Sequence, residues 1–266
     1  QRQMCIRDSV RSWHFEGYQR KEPRFELNKD MQDVDVEVTD EKAIMTAGRM
    51  QVCVDRKDFK IEYKADGKVL TTCGFRNIGY MQYDRSNSTK FPESNYMYSD
   101  YTPYMNTELS LAPGECVYGM GERFTSFVKN GQVVDCWNED GGTASQISYK
   151  NIPFYMTNKN YGILVDHTDN VSFEVASEKV EYVGFSVKGE ELRFDLIYGD
   201  TMKDVIRTYT DLTGKPALAP GWSFGLWLTT SFTTNYDEET TSTFINGMEE
   251  RNLPLEVFHF DCYWMK

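Results

Sequence analysis

Between residues 42 and 198 apolar and polar positions mostly alternate, the two-residue period of strands with one buried face. Phe59, Ile61 and Tyr63 alternate with polar neighbours, Asp66-Gly67 supplies a turn, and Val69 and Leu70 open a return strand. That arrangement predicts a β-hairpin. Further apolar runs follow at Tyr161–Val165, Val171–Val175, 180–187 and 192–197, separated by turn-forming polar residues. Short strands at this spacing predict an antiparallel sandwich over residues 10–199.

After Tyr198 the period changes. Met202, Val205, Ile206 and Tyr209 fall at helical spacing, with Thr201 placed to cap the start and Gly214 and Pro216 to end it, so 200–219 reads as a helical linker. An apolar strand is predicted over 223–228. A helix follows, capped by Asp237, with Glu238 and Glu239 in its first turn and Phe244, Ile245 and Met248 on its apolar face. A second strand is predicted over 255–261. Strand, helix and strand form a βαβ unit, which requires parallel pairing. A (β/α)8 barrel takes about 250 residues, and 220–266 is about a fifth of that, so the chain reads as one cut off inside its second domain. The fold class is therefore mainly β, a sandwich followed by the first βαβ unit of a truncated barrel. Residues 1–9 show no continuity with this pattern and are expected to be a non-native leader outside the fold.

Charge narrows the partners. The chain carries 41 acidic and 29 basic residues, a net charge of −12. That balance disfavours nucleic acid and anionic membrane surfaces, which need clustered cations. No apolar run approaches the 18 or so residues of a membrane helix, and no signal peptide opens the chain. Six cysteines (Cys5, Cys53, Cys73, Cys116, Cys136, Cys262) include no C-x-x-C pair, and the only histidines are His14, His167 and His259. A zinc site is not expected; free thiols in a reducing, cytoplasmic compartment are.

Four stretches could carry chemistry. Gly221-Trp222-Ser223-Phe224-Gly225 matches the G-x-S-x-G nucleophile elbow, which needs a strand before the serine and a helix after it. Here Pro220 precedes the motif and a strand pattern follows, so an ordinary barrel strand is the better reading. Gly119 and Gly121 lack the third glycine of a dinucleotide fingerprint and read as a tight loop at a strand end. Residues 135–142 are acidic, aromatic and glycine-rich, either a binding loop or an exposed turn. In the last stretch, Asp261 would end a parallel strand among aromatic residues, where barrel sites are assembled. A carboxylate with stacking faces suits a sugar, although a loop cap is an equal alternative. His259, on the same side of the strand, reads as a core histidine.

Five segments together carry a resemblance: CVYGMGERF at 116–124, WNEDGG at 137–142, YKNIPFYM at 149–156, GLWLTTSFTTNY at 225–236 and VFHFDCYWMK at 257–266. In this order they resemble glycoside hydrolase family 31, and within it the bacterial α-xylosidase branch. The resemblance implies a galactose-mutarotase-like β-sandwich followed by a (β/α)8 catalytic barrel, and retaining hydrolysis of terminal α-xylosyl residues of oligosaccharides. Retention needs two carboxyl groups about 5–5.5 Å apart. The family draws its nucleophile and acid/base, both Asp, from barrel segments beyond Lys266, so no catalytic residue is assigned here and the fragment alone is expected to be inactive.

The same resemblance carries over the near side of the pocket. Asp261 matches the carboxylate that holds hydroxyls of the non-reducing sugar, Phe232 an aromatic lining that subsite, and Cys262 and Tyr263 the pocket rim. Tyr263 would fill the volume that the hydroxymethyl of glucose needs, a discrimination of about 1–3 kcal/mol in favour of a pentose. Asp140 matches a sandwich loop reaching toward the pocket entrance. No metal or organic cofactor is implied, and the parent enzyme could be homo-oligomeric. The competing expectations are a non-catalytic carbohydrate-binding sandwich, an α-glucosidase of the same family, and a serine hydrolase acting through Ser223.

Overall fold

The computed structural model describes residues 7–18, 23–28, 33–84, 101–139, 146–231 and 233–261. The chain divides into two compact units, Gln1–Gly214 and Lys215–Lys266.

The first unit is built from three five-stranded antiparallel sheets. Strands β1 (Arg7–Trp13), β9 (Val117–Gly119), β11 (Phe154–Thr157), β12 (Tyr161–Val165) and β15 (Glu191–Tyr198) form one sheet, in the order β1-β15-β12-β11-β9. Its partner has the order β10-β13-β14-β8-β7, from β7 (Ile78–Asp84), β8 (Tyr101–Ser110), β10 (Gln132–Cys136), β13 (Val171–Val175) and β14 (Tyr182–Lys188). The third sheet is a meander of β2 (Asp35–Val38), β3 (Lys42–Ala47), β4 (Met50–Asp55), β5 (Lys60–Ala65) and β6 (Lys68–Gly74). Turn chemistry fixes the β5–β6 hairpin as the sequence predicts: Asp66 and Gly67 both adopt positive φ, 50° and 75°.

One apolar core draws on all three sheets. Met50, Val52 and Tyr63 of the meander share it with Leu109, Phe173 and Phe185 of the second sheet and with Ile163, Phe194 and Leu196 of the first. The Phe194 ring meets Tyr63 and Phe185 edge-on, at centroid distances of 6.2 and 5.4 Å. Ser110 joins the meander to β8, since Thr71 Oγ1 donates to its carbonyl at 2.8 Å and its hydroxyl accepts the Thr72 N–H. The meander is thus part of the same folded body as the two-layer sandwich that alternation predicted.

Helix α1 (Met202–Thr213) begins with a capping box, Thr201 Oγ1 accepting the Asp204 N–H while the Asp204 carboxylate accepts the Thr201 N–H. The helix is packed rather than free-standing. Val205 and Leu212 are buried with Phe154, Leu164 and Ile197 in a second small core, and Tyr209 stacks on Phe154 at 4.3 Å. It belongs to the first unit and is not a bare linker.

The start of the chain also departs from expectation. Arg7, Asp8 and Ser9 lie in β1, paired in register with Ile197, Leu196 and Asp195, so excluding all of residues 1–9 from the fold does not hold for these three. Residues 1–6 fall outside the described part. The fit is imperfect. Asp8 stands opposite core residue Leu196, one of its carboxylate oxygens is buried without a partner, and burial pushes its carboxyl up to about 6 against the opposing pull of Arg7.

The second unit contains β16 (Trp227–Leu228), α2 (Glu238–Glu250) and β17 (Val257–Phe258). The strands pair in parallel, Trp227 with Val257 and Leu228 with Phe258, which is the predicted βαβ connection. Asp237 Oδ1 caps α2 by accepting the Thr240 N–H at 2.8 Å. Both strands are shorter than predicted. Pro220 starts a 3-10 turn over Gly221–Phe224, closed by Ser223 N–H to Pro220 O and Gly225 N–H to Trp222 O, and this withdraws residues 221–224 from the sheet. No described residue of this unit is buried.

Candidate functional site

The carboxyl ends of the two parallel strands bring Thr229, Ser231 and Tyr236 together with residues 259–261. His259 N–H extends the ladder by donating to Leu228 O at 2.9 Å, and the chain then leaves the sheet at half-buried Asp261. After β16 the backbone turns sharply: Ser231 adopts a φ of 51°, and its N–H donates to Thr229 Oγ1 at 3.0 Å. A non-glycine residue held in this left-handed region is strained unless its surroundings fix it. Here the surroundings do so. The Ser231 hydroxyl donates to Asp261 Oδ2 at 3.1 Å, the Asp261 N–H donates to the Tyr236 hydroxyl at 3.0 Å, and that hydroxyl donates to Ser231 O at 2.5 Å. Tyr236 also lies against Phe260, with ring centroids 5.0 Å apart. The result is a carboxylate that accepts from Ser231 just beyond a parallel strand pair, next in sequence to a Phe260 ring packed on Tyr236, and a carboxylate so placed can accept hydrogen bonds from vicinal sugar hydroxyls.

Of the five sequence-assigned site residues, Asp261 alone lies within the described structure, three residues past the end of β17 and not on the strand as expected. Asp140, Phe232, Cys262 and Tyr263 lie outside the described residues. Sequence reasoning passed over Ser231 and Tyr236. The run Thr229-Thr230-Ser231 and the single tyrosine of that loop were visible, but only their approach to Asp261 makes them functional candidates.

A second cluster forms at the sandwich loops. Arg123 donates to the carbonyls of Met120, Asp135 and Gln146 at 3.3, 2.7 and 2.8 Å, and to the side chain of Asn151. Asn151 in turn donates through Nδ2 to Trp137 O and Ser148 O, while its N–H donates to Asn138 Oδ1. Three segments that are separate in sequence, 116–124, 135–139 and 146–151, therefore meet at one hydrogen-bonded node. The glycines at 119 and 121 serve this contact. Their φ values are 116° and 89°, and a Cβ on Gly121 would stand 2.1 Å from Lys150 O. They allow close backbone approach, which matches the tight-loop reading over the dinucleotide one.

The serine-nucleophile reading fails on geometry. Ser223 Oγ donates to Pro220 O at 2.7 Å within its own 3-10 turn, and the strand follows the motif instead of preceding it. A Cβ on Gly225 would lie 2.2 Å from Cδ of Glu256, so a larger residue there would displace the carboxylate that accepts the Leu226 N–H. His259 is exposed, with its ring 6.1 Å from Trp227, and is not the core histidine expected. Among the described residues no cluster of three or more His, Cys, Asp or Glu is arranged to hold a metal ion, and no helix is long and apolar enough to cross a membrane.

Comparison with known proteins places both units. Residues 5–174 match the family model described as glycosyl hydrolase 31 N-terminal galactose mutarotase-like domain, and residues 216–266 match the glycosyl hydrolases family 31 TIM-barrel domain. The chain is 46% identical to α-xylosidase XylQ of Lactiplantibacillus pentosus, over 92% of this chain and 30% of that protein. It is also 46% identical to an α-xylosidase of Emericella nidulans, over 97% of this chain and 34% of that one. The chain thus spans about a third of the length of the curated relatives it matches. Its fold is similar to that of the Flavobacterium johnsoniae dextranase FjDex31A, with a TM-score of 0.79 at 21% identity over 97% of this chain and 30% of that structure. With a family model over most of the sandwich, a second over the βαβ unit, and 46% identity running through both, the chain belongs to glycoside hydrolase family 31.

Proposed function

We propose that this chain is the N-terminal part of a retaining α-xylosidase that removes terminal non-reducing α-xylosyl residues from oligosaccharides. The carrying observation is the 46% identity to two α-xylosidases across 92–97% of the chain, and the family's barrel-domain match runs through Asp261. In this reading Asp261 accepts hydrogen bonds from hydroxyls of the non-reducing xylose, with Phe232, Cys262 and Tyr263 shaping its pocket and Asp140 contributing from the sandwich loop. The two Asp residues that perform double displacement lie in the remaining two thirds of the enzyme, so the 266-residue chain binds and orients but does not cleave. On the same footing the sandwich domain is proposed to take in β1 and α1 and to end at Gly214, with the start of the barrel domain after it. A reducing cytoplasm is the proposed location, supported by Cys53, Cys73, Cys116 and Cys136 standing as free thiols.

The test joins this chain to the remaining two thirds of XylQ. The joined enzyme should release nitrophenol from 4-nitrophenyl α-xyloside, at roughly 10- to 200-fold higher kcat/KM than from the α-glucoside. The 266-residue chain alone should release none. Turnover by the chain alone would overturn the division of labour, and a glucoside preference in the joined enzyme would overturn the substrate assignment.

A further inference from the structure

We infer that Tyr236 is a positioning residue for Asp261, with Ser231 as its relay, and that it acts on sugar binding and not on bond cleavage. The inference rests on the proposed role of Asp261. It is carried by the hydrogen-bond geometry at the strand ends, where one hydroxyl links the loop after β16 to the end of β17.

Proton counting fixes the direction of every bond. The Tyr236 hydroxyl owns one proton, and its shortest contact, 2.5 Å, is to a carbonyl that can only accept, Ser231 O. Toward the Asp261 N–H, at 3.0 Å, it can therefore only accept. It must likewise accept from Thr229 Oγ1, also at 3.0 Å, so the Thr229 hydroxyl is the donor there while receiving the Ser231 N–H. Tyr236 thus makes one donated and two accepted bonds, the full complement of a phenol. Each ties down a different piece of backbone: the Asp261 amide, the Ser231 carbonyl and, through Thr229, the Ser231 amide. Ser231 is the residue at φ 51°, and its side chain reaches Asp261 Oδ2. The hydroxyl therefore sets both the main chain of Asp261 and the partner of its carboxylate.

A phenylalanine at 236 keeps the ring contact with Phe260 but removes all three bonds. It leaves the Ser231 turn without its anchor and the Asp261 amide without this acceptor. A carboxylate that binds hydroxyls alike in the ground and transition states acts through KM, so its displacement should raise KM and spare kcat.

Two measurements decide the matter. In the 266-residue chain, Tyr236→Phe should speed amide hydrogen exchange at Asp261 by about tenfold or more, with the α2 amides unchanged. In the enzyme completed with the remainder of XylQ, it should raise KM for 4-nitrophenyl α-xyloside about tenfold or more and leave kcat within about threefold. Ser231→Ala, which removes the carboxylate contact alone, should raise KM by a smaller factor and leave Asp261 exchange unchanged. Unaltered Asp261 exchange in Tyr236→Phe overturns the inference. Faster exchange with unaltered KM, or a loss confined to kcat, overturns it too, because Tyr236 would then be structural only or would touch the chemistry. If the completed wild-type enzyme has no α-xylosidase activity, the functional reading fails, and the exchange measurement alone decides whether Tyr236 positions Asp261.

Discussion

The two units solve the same problem, the burial of apolar faces, to different extents. Every buried apolar side chain among the described residues belongs to the first unit. There three sheets converge, so that Phe173, Phe185 and Phe194 are almost wholly withdrawn from water. The βαβ unit has the right pattern but no second layer of its own. Leu218 is 98% exposed, Phe224 80% and Trp227 49%, and both Phe244 and Ile245 of α2 remain in contact with solvent. A parallel sheet needs cover on both faces, and two two-residue strands with one helix cannot supply it. Secondary structure can thus be fully specified where tertiary stabilisation is not, because caps and turns are local while burial is collective.

The sharpest test of this contrast is a matched pair of truncations. Phe194→Ala, at the junction of the three sheets, should cost about 3–5 kcal/mol in urea unfolding, whereas Phe244→Ala on α2 should cost less than about 1 kcal/mol. Equal losses would mean that the second unit has a core after all. Next in size is the flaw in the first unit. Folding raises the Asp8 carboxyl from the ordinary 3.8 to about 6, so the folded state binds the proton more tightly than the unfolded chain. The penalty is therefore absent below about pH 4, grows between about 4 and 6, and is complete above 6. Asp8→Val should stabilise the chain by about 2 kcal/mol at pH 7.5, after allowance for the partial exposure of the site, and by nearly nothing at pH 3.5. A pH-independent difference would count against burial as the cause.

Caps give a finer comparison. Thr201→Ala and Asp237→Ala each remove a bond to a first-turn amide, worth about 1 kcal/mol. The first should appear in global unfolding, because α1 is locked to the sandwich through Val205 and Leu212. The second should appear mainly as faster exchange of α2 amides. Smallest of all, Lys150→Ala should change stability by less than about 0.5 kcal/mol, since its 3.4 Å pairing with Glu122 lies in solvent.

Much of this architecture could be read from the chain. The Asp66-Gly67 hairpin, the four apolar runs from 161 to 198, both helices with their capping residues, and the parallel βαβ all depend on neighbours within a few positions. The failures share the opposite property. The 3-10 turn at 221–224 took residues from a predicted strand because Pro220 offered its carbonyl to Ser223, a local competition that hydropathy does not register. Strand β1 could not be foreseen because its partner, β15, lies some 180 residues away. The Arg123–Asn151 network was invisible for the same reason, although its three segments had each been marked.

By itself, then, the sequence determined the menu: strands by alternation, helices by period and caps, a parallel βαβ unit with Asp261 beyond its second strand, and the family by five ordered motifs. Tertiary structure alone decided that a meander joins the sandwich core, that Arg7–Ser9 complete an edge strand, that the paired glycines serve backbone approach, and that Tyr236 holds Asp261. The physical reason is range. Periodicity, capping and turn preference are free energies of adjacent residues, whereas sheet order, shared cores and hydrogen-bond nodes join groups whose proximity exists only once the chain has folded.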